Sequence, residues 1–108
     1  MTDRANEDAT RLSSSQRAAL RRLAHHIKPA VHVGKGGITP ALLQTMEEAF
    51  ANAELLKVKV LEGAPDTPRE AAQALADQTD GVIVVQVMGR IATLYRRHPE
   101  QPKISLKP

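Results

Sequence analysis

The residues best placed to do chemistry are Gly34-Lys35-Gly36-Gly37, which precede Thr39-Pro40 and a helical pattern. Glycines free a backbone from side-chain sterics, so its amides can turn outward and another molecule can approach closely. The helix that follows brings the positive end of its dipole to the loop, and Lys35 adds a mobile point charge. A strand–loop–helix of this kind suits a phosphate-sized anion. A tight turn that merely contains a lysine explains the loop alone equally well. The distribution of charge along the chain decides for the anion.

Residues 12–38 carry Arg17, Arg21, Arg22, Lys28 and Lys35 and no acid. Residues 39–80 carry eight acids against Lys57, Lys59 and Arg69, and residues 81–108 carry five bases against Glu100. The formal net charge of +3 therefore hides an uneven distribution. A solvated surface normally mixes its signs. Sorting them lets a small protein turn a positive face to a polyanion while its back repels it.

Two better-known phosphate motifs are excluded. A Walker A loop needs Ser or Thr after Gly-Lys, where Gly36 stands, and the dinucleotide fingerprint needs a third glycine at Thr39. What remains is a G-x-x-G loop of the kind with which KH domains clamp a nucleic-acid backbone. At helical spacing Arg17, Arg21 and Lys28 fall on one line, with His25 beside it and no acid three or four residues away to pair with. This stripe is expected within roughly 10–20 Å of the loop, because a single short strand separates them. Arg90, in a tight turn, and Arg96 complete the candidate contacts. Tyr95 reads as core, and Lys57 and Lys59 as solubility residues on a wet strand face. His25 and His26 diverge on a helix and lack an i+4 partner, so neither metal binding nor general-base catalysis is expected.

These residues are set on a regular series of elements. Ser13 and Gln16 form a capping box that opens a first helix. Its apolar stripe is Leu20, Leu23, Ala24 and Ile27, and Lys28-Pro29 ends it. Ala30 to Val33 is a strand. Thr39 caps a second helix with Pro40 at its first position. Leu55 to Leu61 alternates as a half-buried strand. Thr67 and Glu70 box the start of a third helix that ends at Asp80-Gly81. Val82 to Met88, nearly all apolar, reads as a central strand, and Gly89-Arg90 as a type II′ turn into Ile91 to Arg96. The order α-β-α-β-α-β-β predicts a two-layer α/β domain with a four-stranded mixed sheet. Residues 1–11 are expected to be a disordered tail, residues 12–98 the domain, and residues 99–108 an extended, loosely held segment.

The composition narrows the function classes. One Phe, one Tyr and no Trp leave an aliphatic core and rule out stacking several bases on aromatic rings, as an RRM does. No cysteine is present, so there is no disulfide or thiolate chemistry. No run is long and apolar enough for a membrane helix, and no signal-peptide pattern opens the chain. A cytoplasmic location is the expectation.

Taken together, Leu23-Ala24-His25-His26-Ile27-Lys28-Pro29, Val33-Gly34-Lys35-Gly36-Gly37-Ile38-Thr39, Leu56-Lys57-Val58-Lys59-Val60, Gln86-Val87-Met88-Gly89-Arg90 and Leu94-Tyr95-Arg96 closely resemble the bacterial YhbY family of stand-alone CRM domains (chloroplast RNA splicing and ribosome maturation). The resemblance spans about residues 12–106. It implies a fold similar to the C-terminal domain of translation initiation factor 3, RNA binding through the glycine loop and the basic first helix, and association with large-subunit ribosomal precursors. Ile38 stands where the family usually has Leu, and the stretch before Leu12 lies outside the pattern. The expected protein is a monomeric, non-catalytic RNA-binding module without cofactor, metal or small-molecule substrate. Two alternatives stay open. One is an adaptor whose acidic helices dock a basic ribosomal protein, and the other is a small hydrolase or transferase using His25 or His32.

Overall fold

A computed structural model describes residues 12–104. The chain forms α1 (Ser14–Ala24), β1 (Val31–Val33), α2 (Pro40–Asn52), β2 (Leu55–Val60), α3 (Pro68–Asp77), β3 (Ile83–Met88) and β4 (Ile91–Tyr95). Every helix starts as its cap residues dictate. Ser13 and Gln16 close a reciprocal box, as do Thr67 and Glu70, and the Thr39 hydroxyl accepts from the Leu42 amide. Gly89 takes a positive φ of 59° and Arg90 does not, as a type II′ hairpin turn requires.

The four strands lie in the order β1-β2-β4-β3, with β1 parallel to β2 and β4 antiparallel to both neighbours. β3 is therefore an edge strand rather than the central one its composition suggested. Most of its apolar residues are needed because α2 and α3 cover one face and α1 covers the Ile83–Val85 end of the other. Val84 and Val87 belong to the larger core with α2 and α3, around Met46, Phe50, Val58, Leu75 and Leu94. Ile83 and Val85 turn the other way and join Leu20, Ala24, Leu55 and Tyr95 under α1. Adjacent residues such as Leu55 and Leu56 fall in different clusters because strand side chains alternate. The expected two layers thus gain a partial third: α1 on one face, α2 and α3 on the other.

Three features differ from the sequence reading. α1 stops at Ala24, because the His25 amide bonds to Arg22 O and the Ile27 amide to Ala24 O, closing the helix in tighter turns. Leu23, expected in the apolar stripe, is 50% exposed. The described part of the segment after β4, up to Ile104, is held rather than loose. The Glu54 carboxylate, 5% exposed, accepts the amides of His98, Lys103 and Ile104 at 2.7 Å each, and Ile104 packs into the α1 cluster. The expected disordered tail lies outside the described residues.

Candidate nucleic-acid interface

The glycine loop is a four-residue turn closed by the Gly37 amide on Gly34 O, at 2.9 Å. Lys35 and Gly36 occupy its tip and are exposed. Gly37 has a φ of 68°, and a Cβ there would sit 3.0 Å from Pro65 Cγ, so conformation and contact both demand glycine. Gly36 is different. Its φ is not positive, and a Cβ would meet only Thr39 Cγ2, at 3.9 Å. The fold has no need of glycine at that position.

The expectation that the whole loop and the helix start offer amides is narrowed. The Gly37 amide closes the turn, Thr39 takes the Leu42 amide, and Pro40 has none. Among the described residues, the amides of Lys35 and Gly36 at the tip, and of Ile38, Thr39 and Ala41 at the helix start, make no hydrogen bond to the protein. Lys35 runs its aliphatic stem over Gly63, where a Cβ would approach its Cγ to 3.2 Å. Sequence reading missed this neighbour: the β2–α3 loop, through Leu61, Gly63 and Pro65, braces the glycine turn. The only signal was a second glycine-proline cluster in the chain. Lys35 makes no ion pair among the described residues.

The arginines are divided by what they already hold. Arg90 donates from Nε to Val60 O at 2.7 Å and from Nη2 to Leu61 O at 2.9 Å, which places its charge at the loop end of the sheet against neutral acceptors. Arg17 turns Nη1 onto the carbonyls of Val84 and Val85, at 2.9 and 2.6 Å, where the β3–β4 register slips. Both carbonyls belong to the irregular stretch of this edge strand. Arg96 is removed from the candidate surface. It forms a two-pronged ion pair with Glu47 on α2, at 2.9 and 3.1 Å, and lies 4.9 Å from the centre of the Phe50 ring. Its hydrogen bonds hold the Glu47 carboxyl below its ordinary value. Arg96 also lies at the end of β4 remote from the loop, on the face away from α1.

Arg21, His25 and Lys28 are exposed, but the single helical line is broken. His25 caps α1, its ring edge-on to His26 at 5.1 Å, and Lys28 lies beyond the helix end. α1 covers Leu55, Ile83 and Tyr95, the sheet end remote from the glycine turn. The basic helix and the loop therefore stand at opposite ends of the sheet, separated by the length of β2 from Leu55 to Val60, about 17 Å. Tyr95 is buried as expected, and burial followed by the Glu54 charge raises its phenol. Among the described residues, no His and acid cluster could hold a metal ion.

Charge follows the layers. α1 and all four strands carry no acid, and α2 carries Glu47 and Glu48 and no base. Residues 12–96 match the CRS1 / YhbY (CRM) domain. The chain belongs to this family. CRM relatives include an RNA-binding protein of Haemophilus influenzae, 38% identical over 97 residues that cover 90% of this chain and 96% of that protein. YqeI of Bacillus subtilis, named a probable RNA-binding protein, is 34% identical over 95 residues, covering 88% of this chain and 98% of that one. The CRM fold here also matches the solution structure of SAV1595 from Staphylococcus aureus with a TM-score of 0.74 and 36% identity, over 90% of this chain and all of that one.

Proposed function

We propose that this CRM domain binds RNA by its backbone, without catalysis, with the glycine turn as the grip. The observation that carries this reading is Gly36: glycine where the fold would take a side chain, beside two amides without a partner. A phosphate seated on the Lys35 and Gly36 amides receives the Lys35 ammonium and the remaining N–H groups of Arg90. Arg21, Lys28 and the free side of the Arg17 guanidinium follow the chain further, with His25 beside them. Contacts of this kind position the strand and carry no base sequence, so shape decides recognition.

The names of the relatives and the sorted charge support RNA as the partner. Ribosomal RNA in large-subunit precursors, bound by a monomer in the cytoplasm, is the finer form of the proposal and rests on the family resemblance. No helix among the described residues is long and apolar enough to cross a membrane.

The test is a salt titration of RNA affinity. With about five basic groups on phosphates, the logarithm of affinity falls against log salt with a slope of roughly −3 to −5. Lys35→Ala lowers affinity and makes the slope shallower by about 0.7–0.9 while the melting temperature holds. A flat salt response, or full affinity in Lys35→Ala, refutes the grip.

A further inference from the structure

The face that α1 covers only in part bears a row of side chains whose composition the backbone grip leaves unexplained. Strand register aligns His32 of β1, Lys59 of β2, Ile91 of β4 and Met88 of β3 directly across the sheet. Side chains opposite one another share a face, so all four point to the α1 side, at the sheet end remote from the helix. A second row, Lys57, Thr93 and Gln86, lies between them and α1. His32 and Lys59 are exposed, and Met88, at 66%, is the most exposed large apolar side chain among the described residues.

We infer that this open half of the sheet is a second RNA-contact surface, and that it takes an unpaired strand. The inference rests on the backbone-binding reading above and names its substrate class. Three observations carry it. The surface is cationic, and no acid lies on any strand or on α1. It adjoins the proposed grip at one edge, since His32 and Lys59 each stand one residue before the end of a strand, the first leading into the Lys35 turn and the second into the Leu61–Pro65 loop. It is also graded: Lys57, Lys59 and His32 occupy the β1–β2 side, while Met88 and Ile91 make an apolar bed on the β3–β4 side.

That gradation matches a single strand lying across the sheet. Phosphates lie over the lysines and bases lie over the aliphatic bed. The methionine thioether is polarisable and packs well against an aromatic face. A duplex buries the faces of its bases in its own stack and has nothing to offer Met88. The surface thereby compensates for a chain with almost no aromatic side chains of its own.

Fluorescence anisotropy on the full chain tests this, with a short unstructured RNA oligonucleotide and a blunt-ended RNA duplex of equal length as probes. Met88→Ser weakens binding of the unpaired probe by about 2- to 10-fold and leaves the duplex unchanged. Lys59→Gln weakens the unpaired probe and makes its salt slope shallower by about 0.7. Both positions are exposed, and melting curves check that both variants fold. As a second measurement, a 4-thiouridine probe cross-links to peptides containing residues 57–59 and 86–91. Lys35→Ala reports on the turn alone. If it is silent while the sheet variants weaken binding, the turn reading fails and the sheet reading stands. If it weakens binding while both sheet variants bind like wild type, the sheet reading is overturned. Equal loss on both probes in Met88→Ser overturns the unpaired-strand assignment. So does sedimentation showing that the row is buried between two copies of the chain. A wild-type protein that binds neither probe overturns both readings.

Discussion

Gly36 and Gly37 are neighbours in one turn, and alanine at each should have opposite consequences. At Gly37 the backbone sits at φ 68°, where an L side chain costs about 1–2 kcal/mol. The new Cβ would also press to 3.0 Å on the ring of Pro65, so the β2–α3 loop has to give way. Gly37→Ala should therefore destabilise the domain by about 2 kcal/mol, which lowers the melting temperature of a domain this size by roughly 8–16 °C. At Gly36 φ is not in the left-handed region, and the nearest atom stands at an ordinary 3.9 Å. Alanine there restricts the unfolded chain and should stabilise by about 0.4–1 kcal/mol. The same methyl group stands where a phosphate would approach the turn, so RNA affinity should fall although the protein becomes more stable. Thermal or urea denaturation measures the first quantity and anisotropy the second, on the same preparations. A Gly36→Ala protein with undiminished RNA affinity would sink the reasoning about that position. A Gly37→Ala protein that melts with wild type would sink the strain argument.

Further outcomes follow from the rest of the molecule. Glu54→Gln keeps one acceptor oxygen for three amides and sets an N–H against the His98 amide, so it should cost about 2–3 kcal/mol in denaturant titrations. Burial raises the Glu54 carboxyl, but the three amides outweigh it and leave it below the ordinary 4.5. Its stabilisation is thus complete above about pH 4.5 and lost as pH falls through the lower folded value, and Glu54→Gln should flatten that acid limb of stability against pH. The Thr93 hydroxyl, in a residue 1% exposed, has no partner among the described residues, so Thr93→Val should raise stability by about 1 kcal/mol in the same titrations. Arg96→Ala should cost about 1–2 kcal/mol through its ion pair and its contact with Phe50, with RNA affinity per folded molecule unchanged.

Features governed by neighbours in sequence could be read directly. Each helix start follows from a cap residue and its partner three positions on, and the hairpin from Gly89-Arg90. What depends on contacts distant in the chain could not be read. An apolar run such as Ile83 to Met88 looks the same whether it is central or an edge strand covered on both faces. The partners of Arg17 and Arg96 were hidden for a related reason. Residue type gives a guanidinium its charge, but whether that charge is free depends on a β3 bulge and on Glu47, 49 residues away. The glycine turn was found because its residues are contiguous. The row from His32 to Met88 draws one residue from each of four strands, and only the register reveals it.

The layering of charge has a consequence for how the molecule travels. Cations on the α1 side and carboxylates on α2 give it an electric moment across the sheet. In the field of a polyanion such a body rotates before it touches, so more of its collisions arrive correct side first. Added salt should then slow association more than it speeds release.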